Sequence, residues 1–139
     1  MKPRITIITL GVDDLDTSLT FYRDGLGLPT QGIIGKEFEY GAVVFFDLQN
    51  GVKLALWPRK SIAHDTRLPV QAPSATEFTL AQNVSSKEEV DLVMQQAKAA
   101  GAKIITSAQE TFYGGYAGYF QDPDRHVWEI AWNPQLLPE

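Results

Sequence analysis

The 139-residue chain is long enough for one domain with a buried core, and its content of 44% hydrophobic and 21% charged residues is typical of a folded globular protein. The formal net charge of -5 disfavours nucleic acid as a partner, because phosphate binding requires clustered Lys and Arg. The absence of Cys excludes disulfides, thiolate catalysis and thiolate metal ligands.

The N-terminal part of the chain predicts a strand followed by a helix. Residues 4–12 are rich in β-branched side chains in near alternation. Their apolar stretch is short and no small-residue cleavage pattern follows, so we expect a cytoplasmic protein without membrane contact. Asp13 or Asp14 is expected to cap a helix that ends at Gly25 and Gly27. Apolar residues recur at helical spacing along it, at Leu15, Leu19, Tyr22 and Leu26.

Further strands are predicted near 31–35, 40–48 and 52–57. Asn50-Gly51 separates the last two and indicates a hairpin, because both residue types adopt positive φ readily. Residues 58–74 contain three prolines and no periodicity. We therefore expect them to form a connector without regular structure.

The same order of elements is predicted again after the connector. Residues 77–84 favour a strand, and the capping-box sequence Ser86-Lys87-Glu88-Glu89 begins a helix that ends at Gly101. More strands follow near 102–106, 115–121 and 126–132.

Each half therefore has one strand, one helix and three more strands. A unit of about 55 residues is too small to bury its own sheet face, so two such units are expected to pair. The prediction is one α+β domain made of two βαβββ modules, about 1–60 and 75–139, whose curved mixed sheets form a cup-shaped groove for a small molecule.

Two segments, VDDLDTSLTFYRDGLGL at 12–28 and GGYAGYFQDPDRHVWEIAWNP at 114–134, resemble the vicinal-oxygen-chelate superfamily. Its members include glyoxalase I, bleomycin-resistance proteins and extradiol dioxygenases. The resemblance implies the paired βαβββ fold and a homodimer. In the enzymes of the superfamily it also implies a divalent metal, held by one position on each of four strands, that binds two neighbouring substrate oxygens.

The four metal positions implied by the resemblance fall on Ile7, Ala55, Thr79 and Glu129. Ile and Ala cannot donate to a metal, and a Thr hydroxyl is a poor ligand. First-row metals need about three or more well-placed protein ligands. We therefore expect no metal or other cofactor, and we expect Ile7 and Thr79 to line the ligand site instead.

Glu129 is the candidate catalytic residue. Strand alternation places it on one face with Val127 and Ala131, while Trp128 and Ile130 face the helices. It would act as a general base or hold a polar ligand. The alternative is a carboxylate that pairs with a nearby Lys or Tyr, or one that is solvated.

Four aromatic residues are candidates for ligand contact. Trp57 shares strand alternation with Ala55, so it should face the groove, although it could equally pack at an edge. The others surround the Gly-Gly pair of TFYGGYAGYF and are Tyr113, Tyr116 and Tyr119; the alternative for each is a surface tyrosine on an edge strand.

Three polar residues are expected to be structural. His126 is interpreted as a residue that hydrogen-bonds locally where its strand begins, and His64 as a solvated residue of the connector. Arg125 stands where the superfamily generally has Gly in the turn after Asp122-Pro123, which would cost on the order of 1 kcal/mol if positive φ is kept.

These observations support three hypotheses about function. The first is a metal-free protein that binds a small molecule in an aromatic-lined groove, as bleomycin-resistance proteins do. The second is a glyoxalase-like lyase or isomerase in which Glu129 moves a proton with help from tyrosine hydroxyls. The third is an inactive scaffold or regulator.

Overall fold

The computed structural model describes residues 1–138, which form two compact units, one of residues 1–72 and one that begins at Pro73. Each unit contains a four-stranded mixed sheet whose first strand is followed by a helix. The predicted α+β class and the two βαβββ modules are therefore confirmed.

The sheet of the first unit has the strand order β1-β4-β3-β2. Strands β1 and β4 are parallel, and the other pairs are antiparallel. The elements are β1 (Ile7–Val12), α1 (Leu15–Leu19), a π-helical turn (Thr20–Gly25), β2 (Thr30–Ile34), β3 (Val43–Asp47), β4 (Lys53–Pro58) and α2 (Arg59–Thr66).

Helix α1 and the π-helical turn cover one face of this sheet. Asp14 caps α1, because its carboxylate accepts a hydrogen bond from the Thr17 backbone N–H at 2.9 Å. The buried side chains include Phe21 and Tyr22, and the Tyr22 ring lies 5.8 Å from that of Phe46 on β3. The strands supply the rest of this core through Leu10, Val12, Val44, Leu54 and Leu56.

The predicted hairpin at Asn50-Gly51 is confirmed, since both residues have positive φ, 55° and 76°. The strand predicted from residue 40 begins instead at Val43. Its first residues form a turn, in which Tyr40 has a φ of 60° and the Gly41 N–H donates to the Phe38 carbonyl at 3.0 Å.

The prediction that residues 58–74 lack regular structure is wrong, because Arg59–Thr66 form helix α2. The helix ends at Arg67, which has a left-handed φ of 62°. It packs over β1 at Gly11, where a Cβ would lie 3.0 Å from Arg59 Cγ and 3.4 Å from Ile62 Cδ1. A residue with a side chain at position 11 would therefore require the Arg59 side chain to shift by a few tenths of an ångström.

The sheet of the second unit has the order β5-β8-β7-β6, with β5 and β8 parallel. Its elements are β5 (Thr79–Asn83), α3 (Lys87–Ala99), β6 (Lys103–Glu110), β7 (Tyr116–Gln121) and β8 (Val127–Trp132). Strand β6 extends four residues beyond the predicted 102–106 and contains register shifts against β7.

Helix α3 covers one face of the second sheet. Its start is capped as the sequence predicted, with the Ser86 hydroxyl accepting from the Glu89 N–H at 3.1 Å. Its buried stripe includes Met94, whose Cε would lie 2.8 Å from a Cβ at Gly118 on β7. No helix of residues 1–138 is long and apolar enough to cross a membrane.

Candidate ligand-binding site

The face of each sheet opposite α1 or α3 is called its open face. In the second unit, the open face is identified by strand alternation. Trp128 and Ile130 of β8 point toward α3, and Trp128 stacks at 6.3 Å on the buried ring of Phe120. Glu129 therefore points to the open face, as the alternation of the sequence predicted.

Glu129 is half-buried on this face and lies directly opposite Tyr119 in the antiparallel pair of β7 and β8. Facing residues of such a pair have side chains close enough to interact. The pKa of the Tyr119 hydroxyl is raised, first by burial, then by the negative charge of Glu129 and hydrogen bonding to it. The phenol therefore keeps its proton beside the carboxylate.

On its other side, Glu129 is paired in register with Ala81 of β5, which is exposed. A methyl group cannot cover the neighbouring carboxylate. Thr79 lies two residues earlier on β5, paired with Val127, so it is on the same open face and is also exposed. The space above β5 is therefore open to a ligand that reaches Glu129.

Tyr113 adds a second phenol to this region. It lies in a turn closed by hydrogen bonds between Thr111 and Gly115, including Gly115 N–H to Thr111 Oγ1 at 2.9 Å. Its Cε2 would lie 2.5 Å from a Cβ at Gly115, so the ring packs against that glycine. The negative charge that Tyr113 carries when it is ionised is a further, smaller cause of the raised pKa of Tyr119.

Tyr116 lies on the other face of β7, toward α3. Its hydroxyl donates to the Asp91 carboxylate at 2.8 Å, and this hydrogen bond is the main cause of its raised pKa. The Lys87 ammonium lies 5.9 Å from the centre of its ring. The structure thus places Tyr119 directly opposite Glu129, Tyr113 against Gly115, and Tyr116 on the helix side.

The open face of the first unit contains a cavity of about 560 Å³, a size suited to a small organic molecule. A β-bulge in β2 shapes one wall, where the Thr30 hydroxyl donates to the Phe45 carbonyl at 2.6 Å and accepts from the Gly32 N–H. Lys53 and Asp47 form an ion pair at the rim. The cavity is lined by Ile7, Pro29, Thr30, Gln31, Gly32, Ile34, Phe45, Asp47 and Lys53.

Of the predicted site residues in this unit, Ile7 lines the cavity and Trp57 lies outside its lining. The Trp57 indole N–H donates to the Tyr40 carbonyl at 3.0 Å, and the Tyr40 ring stacks on His64 at 4.0 Å. Trp57 therefore stabilises the turn before β3 through this hydrogen bond. Phe45 is a lining residue that the sequence analysis missed, although strand alternation with Asp47 could have indicated it.

The turn between β7 and β8 determines which residues face each other across this strand pair. The buried Asp122 carboxylate accepts from the backbone N–H groups of Asp124 and His126 at 2.9 and 2.8 Å, and its other oxygen lies 2.7 Å from His126 Nδ1. His126 thus has the local bonding role predicted for it. Arg125 has a φ of 70°, which confirms that it occupies a position suited to Gly.

The residues at the four positions that the superfamily resemblance assigns to a metal do not fit a divalent ion. Ile7 and Ala55 have no donor atom, Thr79 offers only a hydroxyl, and Glu129 is the single carboxylate. Among residues 1–138, no group of three or more His, Asp or Glu side chains is arranged to hold a metal.

Comparisons with known proteins agree with this fold. A sequence model of the Glyoxalase/Bleomycin resistance protein/Dioxygenase superfamily matches residues 4–130. The chain is 34% identical to a glyoxalase-related enzyme from Fulvimarina pelagi, with 95% of this chain and 89% of that chain covered and a TM-score of 0.81.

Two more distant structures share the fold at 22% identity and a TM-score of 0.70. One is lactoylglutathione lyase from Agrobacterium tumefaciens, for which both chains are covered completely. The other is a genomically encoded fosfomycin resistance protein from Listeria monocytogenes, with 96% of this chain and 95% of that chain covered.

Proposed function

The chain belongs to the Glyoxalase/Bleomycin resistance protein/Dioxygenase superfamily. From this premise we propose that it binds a small organic molecule on an open face of one of its sheets, without a metal at the positions that the superfamily resemblance implies. The observation that carries the proposal is the pairing of Glu129 with Tyr119 on the open face. The superfamily resemblance assigns the position of Glu129 to a metal ligand. A carboxylate beside a protonated phenol can bind a polar group directly.

The cavity of the first unit supports the same proposal. Ile7 and Ile34 are 48% and 46% exposed there, and Phe45 of β3 contributes to the same lining. Exposed apolar side chains that line a concave surface are typical of ligand sites, because their transfer out of water favours binding. Gln31 and Lys53 add polar groups that can orient a ligand.

A thermal-shift screen of small organic molecules tests this proposal, followed by calorimetric titration of the hits in buffer with a metal chelator. We expect a ligand whose affinity is insensitive to the chelator and falls in the Ile7→Glu variant, because a charge would enter the apolar lining. The Ile5→Glu variant is the matched control, since Ile5 is 69% exposed and lies outside the lining. A chelator-sensitive ligand, or equal loss in both variants, would contradict the proposal.

A glyoxalase-like lyase or isomerase is the second candidate, favoured by the contact of an acceptor carboxylate with a proton-bearing phenol. Glu129 would remove a proton from a carbon next to a carbonyl, and Tyr119, which keeps its proton, would donate to the oxygen. In D₂O, such a ligand would exchange that hydrogen for deuterium, and Glu129→Gln would stop the exchange. If a ligand binds but its hydrogen does not exchange for deuterium, the lyase or isomerase function is contradicted and the binding function stands.

Two further properties belong to the proposal. A homodimer is supported by the superfamily resemblance, and sedimentation at twice the 15.4 kDa chain mass is expected; sedimentation as a monomer would contradict it. A cytoplasmic location is the second of these proposed properties. Cell fractionation that finds the protein outside the cytoplasm would contradict this assignment.

A further inference from the structure

The half-buried carboxylate of Glu129 has no cationic partner within the described part of the chain. Two lysines form ion pairs with other acidic residues, Lys53 with Asp47 and Lys87 with Glu110. Glu129 forms no ion pair among residues 1–138. A charge that has lost part of its hydration without gaining a counter-charge is costly, so a cation at this point would be stabilised.

The surrounding residues of the second unit reinforce this preference. At the open-face positions of β5, β7 and β8, the neighbours of Glu129 are uncharged: Thr79, Ala81, Asn83, Ala117, Tyr119, Gln121, Val127 and Ala131. Lys103, on β6, lies opposite Gln121, two residues along β7 from Tyr119. The central part of this face is therefore negative.

The two phenols suit a cation as well. Tyr119 lies directly opposite Glu129, and the Tyr113 ring packs against Gly115, four residues before Tyr119. Aromatic faces attract organic cations. Exposed Ala81 leaves the approach along β5 free of a bulky side chain. A divalent metal would need further donor atoms, whereas a protonated amine needs only acceptors and a ring.

We propose that Glu129, Tyr119 and Tyr113 form a subsite for the positively charged amino group of an organic ligand. The proposal rests on the proposed binding function and specifies its ligand class, a primary ammonium attached to an apolar body. The ammonium donates hydrogen bonds to Glu129, while the apolar body lies against the tyrosine rings. The carboxylate at the position that the resemblance assigns to the last metal ligand thus binds an ammonium group.

The test uses three probes of similar shape and different charge: benzylammonium, benzyl alcohol and benzoate. Each is titrated into the full chain labelled with ¹³C in its tyrosine rings, and binding is followed by NMR. We expect benzylammonium to bind with a Kd on the order of 1 mM, to shift the Tyr113 and Tyr119 signals, and to bind more tightly than the other two probes.

Two variants make the assignment specific. Glu129→Gln keeps the shape of the side chain and removes its charge, so benzylammonium should bind roughly tenfold more weakly. Glu88→Gln is the matched control, because Glu88 is exposed in the first turn of α3 and outside the subsite; it should leave the affinity unchanged.

Each remaining outcome overturns the inference. Equal or tighter binding of benzyl alcohol or benzoate would show that the open face does not prefer a cation. Unchanged benzylammonium affinity in Glu129→Gln would remove Glu129 from the subsite, and absence of benzylammonium binding would refute the subsite itself. In these cases the proposed function still stands if the thermal-shift screen finds a neutral or anionic ligand, and falls with the inference if the screen finds none.

Discussion

Replacement of Asp122 by Ala should be one of the most destabilising single changes in the second unit. The Asp122 side chain is fully buried. Its carboxylate accepts hydrogen bonds from two backbone N–H groups of the β7–β8 turn and bonds one ring nitrogen of His126, at 2.7 to 2.9 Å. Ala leaves all three partners without an acceptor. At about 1 to 1.5 kcal/mol each, the expected loss is roughly 4 kcal/mol in the free energy of unfolding.

Replacement of Asp122 by Asn separates the hydrogen bonds from the charge. The Asn carbonyl oxygen can still accept from the N–H groups of Asp124 and His126, and its NH₂ can donate to Nδ1 of the other His126 tautomer. Only the charge-assisted part of the interaction is lost, so the expected cost is about 1 to 2 kcal/mol.

Urea denaturation followed by circular dichroism measures both variants at one pH, with the free energy of unfolding taken at constant m-value. The expected order of stability is wild type, Asp122→Asn, then Asp122→Ala. If Asp122→Ala loses less than about 1 kcal/mol, or if both variants lose the same amount, the hydrogen bonds of this turn do not stabilise it as argued.

Three further predictions concern single groups. Arg125→Gly should raise the free energy of unfolding by up to about 1 kcal/mol, because relief of the left-handed backbone strain at this residue outweighs the added freedom of the unfolded chain. An unchanged or lower free energy of unfolding in urea denaturation would contradict this. The pKa of Tyr119, measured by ¹³C NMR, should lie above the ordinary value of about 10 and fall in Glu129→Gln while staying raised by burial; an unchanged midpoint would place Glu129 away from the phenol. The hydrogen bond from the Thr17 backbone N–H lowers the pKa of Asp14. The stability that this contributes is present above the unfolded pKa of about 3.9 and is lost as the pH falls through the folded pKa. Asp14→Asn should therefore make stability less dependent on pH in this range, and equal pH dependence in urea denaturation would refute this role.

The strands and the two main helices could be predicted because their signals are local. The capping residue Ser86 and the paired turn residues Asn50 and Gly51 each specify backbone geometry within a few residues. Strand alternation in turn places Glu129 opposite the helix face. The same alternation separates Tyr116 from Tyr119, since positions an odd number apart on a strand face opposite ways.

Helix α2 could not be predicted from periodicity because only Ile62 and Ala63 are apolar among its residues, and its one buried side chain is that of Ser61. Its position depends on Gly11, which is distant in sequence. Pro58 directly before the helix was the available signal, since proline is favoured at helix starts.

The shape of the cavity in the first unit could not be predicted from the sequence either. Its wall depends on the change of strand register between Thr30 and Ile33. Gly32, with a φ of 86°, marks the site of this irregularity but does not specify the shape of the wall. The carboxylate and the phenols of the second unit could be found individually. Their grouping depends on the register of β7 against β8, which the turn at Asp122 fixes.

The close contact of Met94 with Gly118 has a consequence for oxidative damage. The chain contains two methionines and no cysteine, so Met94 carries the one sulfur atom outside the N-terminal residue. Its side chain is 7% exposed, and it already touches the β7 backbone at a point where even a methyl group would not fit. A sulfoxide oxygen would need both space and a hydrogen-bond donor at this contact. Oxidation of Met94 by peroxide would therefore disturb the packing of α3 against β7, so the most readily oxidised atom of the core lies at the interface between the longest described helix and its sheet.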